Sequence, residues 1–239
     1  MTEQIIFLGL VVFASHMVEG ITGFGCMILA LPFAAGLLGL QTAVPVLVVL
    51  STCFDLVLVL RGRSSLNWRV MLFITAVTAV FIPAGFWGLR TLPEELLTSL
   101  LGVFILVAAC INMLRGDKPL TGIANRASVL FLPLAGVVQG AFGGSGPIIV
   151  LYSRGVLADK TAFRSTMAAV WELLNLLNLV QYGAGGMLTS RVWELSGLML
   201  PFIAVGYAVG ELAHRRISAK RFGMVLNVIL IITGISMLV

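Results

Sequence analysis

Three carboxylates and a histidine stand where hydrocarbon is expected. Glu19, Asp55 and Glu172 each lie inside long apolar stretches, and His16 sits one helical turn before Glu19. Ionisable residues within a membrane segment are costly and by default mark a pathway or a proton relay. A buried carboxyl group that takes up and returns a proton can couple protons to transport. The competing reading is an acid, or a lone histidine, that only ties helices together. Trp171, Asn175, Asn178 and Tyr182 fall on one stripe of a helix, with Glu172 and Gln181 at its flanks. Ser51, Thr52 and Asp55 form a shorter polar patch in the first half of the chain. The amides of the stripe suit either a substrate wall or interhelical hydrogen bonds, which average about 0.6 kcal/mol each. Glu211 and His214, near the end of their segment, read as an interfacial pair.

Two glycine clusters interrupt the apolar segments: GITGFG at 20–25 and GAFGGSG at 140–146. Glycine costs a helix interior about 1 kcal/mol relative to alanine, and proline, which follows as Pro147, about 3. Broken backbone at membrane depth is tolerated where it lines a cavity or is buried in protein. Each break is followed by a new helix, from Cys26 and from Pro147, with Ser145 placed as an N-cap. The free N–H groups and the positive end of the helix dipole suit an anion. Thr22, Gly23, Phe24 and Gly25 of the first break, and Phe142, Gly143, Gly144 and Ser145 of the second, are the candidate substrate-binding residues, with Trp171 and Asn175 as a wall. The competing reading is that the glycines only allow helices to pack closely.

The elements that must hold these residues are membrane helices. The chain has 239 residues, 59% hydrophobic and 10% charged, and a mean hydropathy of +1.09. A soluble domain carries about 25% charge. Runs near the ~20 residues needed to cross a bilayer occur at 42–60, 70–89, 96–114, 165–183, 192–210 and 222–239. The stretches 4–40 and 128–158 contain the breaks. No cleavable leader is expected from the opening MTEQ. Cys26, Cys53 and Cys110 all fall in apolar segments without CxxC spacing and read as buried thiols.

Thirteen of the fifteen Lys and Arg residues cluster at 61–69, 115–126, 154–164 and 215–221. The positive-inside rule places those four loops in the cytoplasm, and the scatter over loops argues against a nucleic-acid surface. The six simple runs then alternate correctly only if 4–40 starts and ends outside and 128–158 starts and ends inside. Each must be a hairpin of two limbs of about 14–16 residues, roughly 21–24 Å long, re-entrant or strongly tilted; the opening limb is long enough for a nearly full crossing. A shift of 120 residues shows the same pattern twice. Val18, Gly20, Gly23, Ile28 and Leu31 fall on Val138, Gly140, Gly143, Ile148 and Leu151; Glu19 falls on Gln139 and Asp55 on Asn175. The expected fold is an all-α membrane protein of two inverted-topology repeats, 1–119 and 120–239, each a broken-helix hairpin plus three transmembrane helices. That is an architecture of secondary transporters.

GITGFG, GAFGGSG and the basic loop RGRSSLNWRV (61–70) resemble the TauE/SafE sulfite-exporter family of membrane permeases, and the resemblance runs over the whole chain. It implies a multi-pass protein of the cell membrane. It also implies transport of a small sulfur-containing or organic anion, such as sulfite, a sulfonate or sulfoacetate, coupled to protons. No cofactor or metal is expected; the partners are the anion, protons and lipid, with self-association left open. A passive channel and a non-transporting assembly protein are the alternatives. GGSG also looks like the nucleophile motif of rhomboid proteases, but a serine nucleophile needs a base within reach, and the chain has only His16 and His214.

Overall fold

The computed structural model describes residues 2–22, 25–115, 127–157, 159–214 and 219–238. Gly23 and Phe24, the loop residues 116–126 and residues 215–218 lie outside them, as do the side chains of Thr22 and His214. Among the described residues every regular element is helical. The first half holds α1 (Thr2–Thr22), α2 (Cys26–Leu38), α3 (Leu40–Gly62), α4 (Trp68–Ala79), α5 (Ile82–Thr91) and α6 (Glu94–Arg115). The second holds α7 (Leu132–Phe142), α8 (Gly146–Val156), α9 (Lys160–Ala184), α10 (Ser190–His214) and α11 (Ala219–Ser236).

Both glycine stretches end one helix and begin another. Gly25 precedes α2 with φ of 104° and Gly143 closes α7 with φ of 66°, left-handed backbone that glycine adopts without a Cβ penalty. The Gly143 N–H turns back to the Gln139 carbonyl at 2.8 Å, so a helix end is satisfied locally. At 21 residues α1 is roughly 31 Å long and can reach across a bilayer. With 13 residues in α2 and 11 each in α7 and α8, the other limbs are short.

By length and composition α1, α3, α6 and α10 can each cross a membrane, and the α4–α5 pair makes a fifth span if taken as one. The run at 70–89, expected as a single helix, is bent by 40°. Pro83 falls in the first turn of α5, where it cannot donate to the preceding turn. The 25 residues of α9 include Glu172, Asn175, Asn178 and Gln181, and the helix does not meet the same apolar standard. Leu60, Leu72, Trp87, Leu130, Val180 and Leu212 are exposed, as expected of surfaces that face lipid.

The helices pair by direction. α1 runs parallel to α10: Gly206 lies against the Phe13 carbonyl and Gly210 against that of Met17. α7 runs parallel to α4 and α5, with Gly136 against the Thr78 carbonyl and Gly140 against that of Ile82. α3 is antiparallel to α9, since Gly62 meets Ser165 while Asp55 meets Asn175. α6 and α11 are antiparallel, with Gly102 near Leu238 and Gly234 near Leu106. At one end Arg61 donates to the Tyr207 hydroxyl at 3.0 Å and Arg164 pairs with Glu211 at 2.8 Å. At the other, Glu94 accepts the Leu40 N–H at 2.7 Å, an acid at a helix start where Gly39 has no side chain to offer.

These glycine contacts carry a stability prediction. At Gly140 an added Cβ would meet the Ile82 carbonyl and, at 2.9 Å, the Phe86 nitrogen. Backbone cannot rotate away, so Gly140→Ala should destabilise by about 1–3 kcal/mol, the usual cost of overpacking. At Gly88 the nearest atom is the end of the Leu92 side chain at 3.6 Å, and Gly88→Ala should be neutral or stabilising by up to about 1 kcal/mol. Thermal unfolding in detergent compares the two; equal midpoints would refute close packing of α5 on α7.

Candidate substrate site at the helix breaks

The polar groups of the second break form a directed chain. Ser145 donates both its N–H (3.1 Å) and its hydroxyl (2.9 Å) to the Gln139 side-chain oxygen. The Gln139 amide nitrogen donates to Asn175 Oδ1 at 3.0 Å. Asn175 in turn donates to Asp55 Oδ2 at 3.2 Å. Asn178 holds the Gln139 backbone carbonyl at 3.0 Å. Each amide in this chain has its oxygen and nitrogen assigned by its partners. The chain joins α8, α7, α9 and α3, and its last link connects positions 120 residues apart.

A small pocket of about 30 Å³ lies between the breaks. Glu19, Asp55, Trp171 and Asn175 line it, with Gly25 and Cys26 from the first break and Gly144 and Ser145 from the second. Among the described residues Asp55 Oδ1, Glu19 Oε2 and the Trp171 indole N–H have no hydrogen-bond partner, although all three are buried. Glu19 accepts from the Cys26 thiol, whose sulfur is 3.3 Å from the Ser51 hydroxyl. Asp55 lies within electrostatic reach of both Glu19 and Glu172.

The candidates from sequence divide accordingly. Gly25, Gly143, Gly144, Ser145, Trp171, Asn175, Glu19 and Asp55 are brought to the cavity. Phe142 packs into the hydrophobic core instead. Glu172 is buried but lines no part of the cavity. His16 donates from Nδ1 to the Val12 carbonyl at 2.8 Å and stacks edge-on to Phe54; a ligand atom of its ring lies within 4.8 Å of Glu19 and Cys26. Gly23, Phe24 and the side chain of Thr22 are outside the described residues.

Two details differ from the expectations. Ser145 stands at the N-cap position, yet its side chain caps nothing; the hydroxyl is drawn to Gln139 instead. Gly143 and Gly144 are packed rather than open. An added Cβ at Gly144 would meet Met27 Cβ at 2.8 Å, and at Gly143 it would meet Met27 Cε at 2.7 Å. The start of α2 sits against the second break, so of Gly25, Gly143 and Gly144 only Gly25, with nothing within 4 Å of an added Cβ, leaves room beside the backbone. Gln139, the hub of the chain, was not among the candidates, although its alignment with Glu19 under the 120-residue shift marked it. The Ser145 hydroxyl meets no histidine among the described residues, so the G-x-S-G resemblance has no base beside it.

The family model for the sulfite exporter TauE/SafE matches residues 7–237. No curated protein and no solved structure matches the chain. The match covers both breaks, the polar chain between them and the cavity they enclose, and the chain therefore belongs to the TauE/SafE family of membrane sulfite exporters.

Proposed function

We propose that this protein is a secondary transporter that carries a small sulfur-containing oxyanion, such as sulfite, a sulfonate or sulfoacetate, across the cell membrane together with protons. The substrate lies between residues 22–25 and 142–145, against Trp171 and Asn175, and Glu19, Asp55, Glu172 and His16 are the groups available to carry protons. The observation that carries this reading is the hydrogen-bonded chain from Ser145 through Gln139 and Asn175 to Asp55. It ties the break of one half to an acid of the other, beside a cavity with buried polar atoms that have no partner.

The reading includes two inverted repeats, 1–119 and 120–239. Exchange of the halves turns α1 on α10 into α7 on α4 and α5, and both of these pairs are parallel. The same exchange maps α3 with α9, and α6 with α11, onto themselves, and both of those are antiparallel. Asp55 and Asn175, equivalent under the shift, touch each other, as residues beside a two-fold axis should. The end where Arg61, Arg164 and Glu211 meet is then cytoplasmic. Broken helices meeting at such an axis are the usual site of inverted-repeat carriers.

Flux into proteoliposomes tests the function. Labelled sulfite, and methanesulfonate as an anion that keeps one charge at all working pH values, should accumulate above equilibrium when a proton gradient is imposed. A passive channel would only equilibrate them. No flux above empty liposomes for either anion would overturn the reading.

A further inference from the structure

We propose that the substrate anion takes the place of the Glu19 carboxylate at the start of α2, so that each anion binds with one proton on Glu19, while the matching place at α8 is held by Gln139. The proposal rests on the anion-carrier reading above and assigns its coupling residue.

Glu19 and Gln139 each stand seven residues before the helix that follows their break. Gln139 shows what that position does: its side-chain oxygen takes the Ser145 N–H and hydroxyl, as one oxygen of a bound anion would. Few donors are left at α8. Pro147 has no N–H, and that of Ile148 turns back to the Ser145 carbonyl at 3.1 Å. At α2 the first internal bond among the described residues runs from the Leu29 N–H to the Gly25 carbonyl, so the Cys26, Met27 and Ile28 amides have no helical partner among those residues. All three residues line the cavity, and Gly25 leaves the approach open. The two breaks are therefore unequal, and the second is already filled by an uncharged side chain.

Glu19 is the charged counterpart. It takes the Cys26 thiol and leaves Oε2 buried without a partner. Its surroundings are His16 on α1, Cys26 on α2, Asp55 on α3 with Glu172 behind it on α9, and Arg164 on α9, which is paired to Glu211 of α10. Arg164 therefore already has an acid. An ionised Glu19 and an anion at one helix start would repel each other beside the further acid Asp55. A protonated Glu19 removes one negative charge and adds an O–H donor for a substrate oxygen. The proton enters with the anion and leaves with it on the other side, so charge and protons balance.

Methanesulfonate binding to the full-length protein in detergent is the test, since the charge on this probe does not change with pH. Wild-type affinity should be highest at low pH and fall by about tenfold per pH unit above the Glu19 titration, the slope for one linked proton. Glu19→Gln, which gives the first break the side chain of the second, should bind with little pH dependence and more tightly than wild type at high pH. Independently of any variant, wild type in weak buffer at high pH should take up one proton per methanesulfonate bound. Wild-type binding without proton uptake, or an unchanged pH slope in Glu19→Gln, would overturn the proposal. If wild type binds neither methanesulfonate nor sulfite at any pH between about 5 and 9, the anion-carrier reading fails, and this inference with it.

Discussion

Asn175→Leu is expected to abolish transport while leaving the protein folded. Asn175 accepts from Gln139 and donates to Asp55, so one substitution of the same branching but larger volume cuts the polar chain in two. It leaves the Gln139 amide without its acceptor and Asp55 Oδ2 without its donor. Interhelical hydrogen bonds in membranes average about 0.6 kcal/mol and reach about 1.7, so losing both costs about 1–3 kcal/mol. That is a small part of the roughly 5–15 kcal/mol that holds a typical domain. Loss of flux should therefore far exceed loss of stability, read as proteoliposome uptake against thermal unfolding of the same preparation. Asn175→Asp sharpens the test. It keeps an acceptor for Gln139 but sets two carboxylates side by side, which one shared proton can bridge. Its activity should be lost at neutral pH and partly regained as pH falls. Wild-type flux in Asn175→Leu would remove the chain from the transport pathway.

Much of this arrangement was legible from local pattern and charge. The glycine clusters ended helices where expected because only glycine takes the left-handed backbone at Gly25 and Gly143 without penalty. The parity of the basic loops required hairpins at 4–40 and 128–158, and helix pairs α1–α2 and α7–α8 occupy those stretches. The stripe on α9 put Trp171 and Asn175 on one face, but only the contacts of that face show that Asn178 serves the Gln139 carbonyl and that Tyr182 packs against Phe86. Gln139 was visible as the counterpart of Glu19. Its role was not, because that role depends on a turn folding back by six residues and on a neighbour 36 residues away. Ser145 shows the limit of capping rules: a hydroxyl at an N-cap bonds to the helix only when no better acceptor is near. Phe142, inside the motif, packs into the hydrophobic core, a contact that only the tertiary structure reveals.

Gly144→Val should stop transport, and Gly36→Val should not. Both replace glycine in a stretch where one helix gives way to another, but their surroundings differ. At Gly144 a new Cβ would stand 2.8 Å from Met27 Cβ, too close for any rotamer of Met27 to relieve, since a Cβ moves only with its backbone. The second break and the start of α2 would have to separate, and with them the cavity shared by Ser145, Cys26 and Gly25. At Gly36 nothing lies within 4 Å of an added Cβ, and valine lowers helix propensity only slightly relative to the best residues. Ser145→Ala separates packing from binding. It leaves the backbone and the Ser145 N–H bond to Gln139 in place and removes one hydroxyl bond, a net change of about 0.5–1.5 kcal/mol. Its transport should be reduced several-fold rather than lost. Uptake and thermal unfolding of the three variants, measured side by side, decide the matter. If Gly144→Val transports like wild type, the contact between the breaks is not what shapes the site.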